Sequence, residues 1–190
     1  MQNLSLLGPE ELHKKNLEGK LPPNMGYIYK GGYSFVFFDS LWYTQLKTPV
    51  GTRIFNIPFH YSPRDVDNIS IKGSLNYSNL ERYKGFFMTF DPVDTNLNYI
   101  AVSIGETDQV LLNAFGKNVI AACSKNETDA CVDRPIIECN STEAPVFYFK
   151  SGTEANVTYN NNCAVISGYK TELFRATDRM LFDFLGIIKR

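Results

Sequence analysis

The stretch GFFMTFDPVDTNLNYIAVSIGETDQVLLNAFGKNVIAAC, residues Gly85–Cys123, decides the fold. Gly85–Phe90 is a compact apolar run, too short for a helix and rich in aromatics, which marks a buried strand. Asp91-Pro92 breaks it. Leu97, Ile100, Ile104, Leu111 and Phe115 then recur near helical spacing, and Gly116 can take the left-handed conformation that ends a helix. Gly105 weakens that helix by about 1 kcal/mol against Ala. Asn118–Cys123 is a second buried run. Strand, helix and strand in this order predict a βαβ unit with a right-handed crossover.

Upstream, the apolar period falls to two. Tyr33, Phe35 and Phe37 alternate with Ser34, Val36 and Phe38, Asp39-Ser40 makes a turn, and Leu41–Lys47 returns as the second arm of a hairpin. Gly31-Gly32 is read as a turn. Pro49-Val-Gly51 is a further turn, and Arg53–Tyr61 a third strand. Pro58 inside it places that strand at an edge or a bulge, since proline cannot donate to a ladder. Asn68–Lys72 is a short alternating strand. Residues 1–26 read as a lead-in or stem, with a short helix from Pro9 stopped at Pro22-Pro23. Downstream, Pro135–Cys139, Val146–Lys150, Asn156–Tyr159 and Cys163–Ser167 are short strands. The chain ends on an amphipathic helix: Leu173, Thr177, Met180, Leu181, Phe184 and Ile188 share one face, and Glu172, Arg175, Asp178, Arg179 and Asp183 lie mostly away from it. The expected class is α+β: a mixed or antiparallel sheet with N-terminal hairpins, one βαβ-like unit and a C-terminal amphipathic helix, in a single domain over residues 27–190.

The 190 residues carry 19 basic and 20 acidic side chains, 44% hydrophobic and 21% charged residues. That balance fits a globular domain, and the near-zero net charge gives no electrostatic case for a nucleic-acid partner. No apolar run approaches the ~18 residues of a transmembrane helix. Met1–Leu7 has neither the charged nor the apolar region of a signal peptide.

Two signals address the compartment. Six N-x-[ST] sequons occur, at Asn3, Asn68, Asn76, Asn126, Asn140 and Asn156, where composition alone gives about two. The four cysteines, Cys123, Cys131, Cys139 and Cys163, all fall in the C-terminal part, with no C-x2-C spacing and no nearby histidine. A zinc site is poorly supported, and an even count beside sequons reads as two disulfides formed in an oxidising compartment. Three pairings are possible. Cys123–Cys131 closing a polar loop, with Cys139–Cys163 joining two strands, is preferred. Cys123–Cys139 with Cys131–Cys163 is the competitor.

Reactive constellations are scarce. The chain has no G-x-S-x-G elbow, no H-E-x-x-H, no phosphate loop and no dinucleotide fingerprint, so no cofactor is expected. Asp91 and Asp94 lie at a strand's C-terminal end, where open α/β sheets bind ligands. With His60 they could hold a cation or act as acid and base. The simpler reading is that both acids cap the following helix. Glu106 and Asp108 are read as that helix's solvated face, and Arg175, Asp178 and Arg179 as a charged helix face. Trp42 is read as core packing or a binding surface, and His13 as a residue of the stem.

Ala121-Ala-Cys-Ser-Lys-Asn-Glu-Thr-Asp-Ala-Cys131, Pro135-Ile-Ile-Glu-Cys139, Asn162-Cys163-Ala-Val-Ile and Ala176-Thr-Asp-Arg-Met-Leu-Phe182 resemble segments of uncharacterised archaeal proteins. In those proteins a membrane anchor precedes an exported domain. Tyr33-Ser-Phe and Leu41-Trp-Tyr43 are similar to the same group. The resemblance implies membrane attachment only through a segment absent from this chain, and it carries no catalytic residue. The leading expectation is a non-enzymatic extracytoplasmic surface domain, an interaction, adhesion or envelope-assembly module with a protein or glycan partner. A secreted metal-dependent or acid–base hydrolase using Asp91, Asp94 and His60 is the alternative, and a viral surface glycoprotein domain shares the same features.

Overall fold

A computed structural model describes residues 7–47, 54–75 and 77–189. The expected turn at Pro49–Gly51, the start of the third strand at Arg53 and the sequons at Asn3 and Asn76 lie outside the described residues.

The class is α+β, but the strands form two sheets rather than one. The first is a four-stranded antiparallel meander: β1 (Gly26–Tyr29), β2 (Tyr33–Phe38), β3 (Leu41–Lys47) and β4 (Ile54–Phe59), in that spatial order. Left-handed Gly31 and Gly32 turn the chain between β1 and β2, and Asp39-Ser40 turns it between β2 and β3. Pro58 falls on β4, an edge strand, as its missing N–H requires.

The second sheet has six strands in the order β5-β9-β10-β8-β6-β7. They are β5 (Ile71–Leu75), β6 (Gly85–Phe90), β7 (Asn118–Cys123), β8 (Val146–Lys150), β9 (Asn156–Asn161) and β10 (Cys163–Ser167). All neighbouring pairs run parallel except the β9–β10 hairpin. The quoted stretch forms parallel β6 and β7 joined by helix α4 (Leu97–Phe115), and Gly116 ends the helix at φ 62°. Pro135–Cys139 is not a strand. Only Ile136 bridges to Cys123, beside the β7 edge; from Ile137 the Thr89 hydroxyl and the Cys139–Cys163 disulfide hold the segment across the sheet face.

Helix α5 (Thr171–Phe184) packs with α4 between the two sheets. Its Phe182 meets Phe35 and Phe59 of the first sheet, at centroid distances of 5.7 and 4.5 Å. On the other side Leu173, Met180 and Leu181 join Met88, Phe147, Phe149 and Ile166 in one core. This corrects the expectation of an exposed charged face. Asp178, Arg179 and Asp183 are buried, because α5 is covered on several sides: Asp178 faces the residue pair that follows β4, Arg179 the loop before β5, and Asp183 strand β9 of the second sheet. Each is bonded: Arg179 Nε donates to Ile69 O at 2.9 Å, and the Tyr159 hydroxyl donates to Asp183 at 3.1 Å.

The stem expectation is corrected for residues 7–26. Helix α1 (Pro9–Leu17) packs on the outer face of the first sheet, with Leu12 against Val36. His13 is 1% exposed, with Nδ1 2.8 Å from the Ser34 hydroxyl. Asn16 donates to Tyr27 O, Ser34 Oγ and Phe35 O. The apolar content of Pro9–Leu17 is too low to announce this. Polar residues anchor α1 by bonding backbone groups of β1 and β2. Short helices α2 (Pro63–Val66) and α3 (Tyr77–Arg82) flank β5, and Ser62 and Asp65 form a capping box at α2. Among the described residues, no helix is long and apolar enough to cross a membrane.

Candidate functional site

The C-terminal ends of parallel β6, β8 and β10 meet at one end of the six-stranded sheet, the position where such sheets bind ligands. Here the protein's own side chains fill it. Asp94, after β6, accepts the Asn96 N–H at 2.8 Å and the Ser151 N–H at 2.9 Å, and also the Ser151 hydroxyl. Asn96, the N-cap of α4, donates to Gly168 O at 3.1 Å and accepts the Lys170 N–H at 3.0 Å. One short loop therefore stitches together the ends of three strands. Asp91 accepts the Val93 N–H and pairs with Lys125 at 2.9 Å; the hydrogen bond from Lys125 holds its carboxyl below the ordinary range. Neither acid caps α4 by a side-chain bond; both order the loop that leads to its N-cap.

His60 has different partners. It follows β4, stacks on Phe174 at 4.1 Å and places Nδ1 against Glu106 Oε1 of α4. The structure thus gives Asp91 and Asp94 to one loop and His60 to Glu106. Glu106 is not a solvated residue: its side chain is 14% exposed, and its second oxygen is buried with no hydrogen-bond partner among the described residues. Asp178 completes this group from α5. It accepts the Tyr61 N–H at 2.7 Å, and its Oδ1 is buried with no hydrogen-bond partner among the described residues. Burial first, and the nearby Glu106 charge second, push its carboxyl well above the ordinary range. Sequence reading missed Glu106 and Asp178. The available signal was the polar set Ser103, Glu106 and Thr107, which interrupts an apolar helix at adjacent turns; Ser103 and Thr107 are fully buried. Among the described residues, no group of three or more His, Cys, Asp or Glu side chains is placed to hold a metal ion.

The cysteines form Cys123–Cys131 and Cys139–Cys163, with Cα separations of 6.0 and 5.2 Å. Cys123–Cys131 closes the loop that follows β7, and Cys139–Cys163 fastens the chain after Ile137 across the sheet face that points away from α4 and α5. Register puts Thr89, Tyr148, Val165 and Thr158 in one row on that face, and the Thr89 hydroxyl donates to Ile137 O at 2.7 Å. Beside the segment, Asn140, Tyr148, Lys150 and Val165 line an open cleft of about 450 Å³.

The sequons cluster with these features. Asn68 precedes β5, Asn126 follows β7 and Asn156 begins β9, and strand directions bring all three to the same end of the sheet. Asn68 and Asn156 line a polar cleft of about 890 Å³ there, with Lys72, Lys150, Glu154 and Arg175. Asn140 lies on the disulfide-fastened segment. Asn68, Asn126 and Asn140 are exposed, and Asn156 is half-buried. Trp42 is half-buried between Tyr27 and Phe37.

No family model, no curated protein and no solved structure matches the chain.

Proposed function

We propose that this chain is an N-glycosylated, disulfide-fastened domain displayed outside the cytoplasm, where it serves as a non-enzymatic interaction or envelope-assembly module. The observation that carries the reading is the placement of the modification sites. The four described sequons lie outside the core, on one end and one face of the six-stranded sheet, around a segment held by two disulfides. A glycan needs open space and a disulfide forms in an oxidising compartment, so the open sequons and the two paired sets of cysteines support this reading. The stitched strand ends favour a binding role over turnover, since Asp94 and Asn96 occupy the usual ligand crevice. A protein or glycan partner at the cell surface is the proposed ligand class.

Expression through a secretory pathway tests this. Glycan mass mapping should find sugar on Asn68, Asn126 or Asn140, and non-reducing peptide mapping should find both disulfides. Unmodified asparagines and four free thiols in protein purified without reductant would reject it.

A further inference from the structure

Sheet edges attract other strands, and folded proteins guard them with proline, lysine, kinks or covering elements. The four edges are β1 and β4 of the first sheet and β5 and β7 of the second. Helix α1 lies on the face over β1 and β2, where Asn16 donates to Tyr27 O of β1, Pro58 lies in β4, and β5 carries Lys72 beside left-handed Gly73. The fourth, β7, reads Asn-Val-Ile-Ala-Ala-Cys, with neither charge nor proline.

Hydrogen bonding shows which of its backbone groups are open. The Asn118 and Ser124 N–H groups donate to Lys84 O and Phe90 O, on the β6 side. Cys123 points the other way: its N–H donates to Pro135 O and its C=O accepts from the Ile137 N–H. Strand alternation then turns the N–H and C=O of Val119 and Ala121 outward, beyond the edge. The chain itself starts a seventh strand at Cys123 and abandons it after one bridge. Exposed aliphatics surround the gap: Ile120 is 42% exposed, Val132 68% and Ile136 44%. Helix α4 packs on β7, and its outer face carries exposed Val102, Gly105 and Leu112 around a single half-buried acid, Asp108.

We infer that this edge is a docking surface for a second copy of the chain, with β7 pairing antiparallel to its two-fold mate to give a continuous twelve-stranded sheet. The outward backbone groups call for a strand. An isologous contact places every residue near its own copy, so a patch can pair with itself only where it does not repel itself, and the free part of β7 is uncharged. The strand pair alone is small. The two α4 helices, brought alongside each other on one face of the joined sheet, must contribute to the roughly 1,000 Å² that a stable interface needs.

The test does not depend on export, because unglycosylated protein with both disulfides formed suffices. Ala121→Pro removes only an outward N–H, and Ile120→Lys adds the missing guard. Sedimentation across a concentration series should give a doubled mass for wild type and a single mass for both variants, with unchanged circular dichroism and a cooperative melting transition. Hydrogen exchange should show the Val119 and Ala121 amides protected in wild type, with Val119 released in Ala121→Pro. A wild-type protein of single mass at every concentration overturns the inference. So does a dimer that persists in Ala121→Pro with Val119 still protected.

Discussion

Asp178 of α5 accepts the backbone N–H of Tyr61 at 2.7 Å, across a separation of 117 residues. This bond fastens the end of the first sheet to the helix that carries the second. It does so from a carboxyl with no exposure to water and with Glu106 close by.

The consequence is a pH dependence of definite sign. The folded state raises the Asp178 carboxyl above its ordinary value of 3.8, so the native protein holds a proton that the unfolded chain releases. The stabilisation is complete below that ordinary value and is lost as pH rises toward the folded one, at up to about 1.4 kcal/mol per pH unit. Asp178→Asn keeps an acceptor for Tyr61 and removes the ionisation. Thermal unfolding from pH 4 to 8 should show the variant gaining on wild type as pH rises; parallel curves would refute this.

His13 titrates in the opposite sense. Desolvation lowers it from 6.5 to about 4, so the folded protein holds it neutral while the unfolded chain takes up a proton. Stability falls as pH drops from 6.5 toward about 4. In a His13→Gln variant this loss should vanish from urea titrations over that window. An unchanged slope would mean that α1 opens readily.

The two disulfides close loops of unequal length, with sequence separations of 8 and 24. Loop-closure entropy gives about 2.5 kcal/mol for Cys123–Cys131 and about 3.4 kcal/mol for Cys139–Cys163. Replacing each pair by serine should therefore cost more stability at Cys139–Cys163, read as a lower denaturant midpoint. The reverse order would locate the constraint in native packing.

Phe182 lies between the sheets and touches Phe35 and Phe59. Phe182→Ala should cost about 3–5 kcal/mol, the range for emptying an aromatic core site. Half-buried Phe184 should cost less on truncation. Equal losses at the two positions would show that the first sheet is not held through α5.

Local grammar was enough for the elements whose pattern is dense. Gly85–Cys123 declared its βαβ unit by a short apolar run, a helical period, a glycine stop and a second run. Pro58 declared an edge by a missing donor, and Cys163–Ser167 declared a strand by composition. The preferred cysteine pairing also followed from spacing. What the sequence could not determine is which elements face each other. Asp178, Arg179 and Asp183 look like a solvated helix face until the strands and loops on both sides of α5 close over them. His13 looks like a stem residue until α1 lands on β2. His60 stands far from Glu106 in sequence and beside it in space. Hydrophobic period records one buried face per element. A helix between two sheets has more than one, and its polar groups find partners far off in sequence: Tyr61 for Asp178, 117 residues away, and Ile69 for Arg179, 110 residues away. Only the tertiary structure makes those pairs.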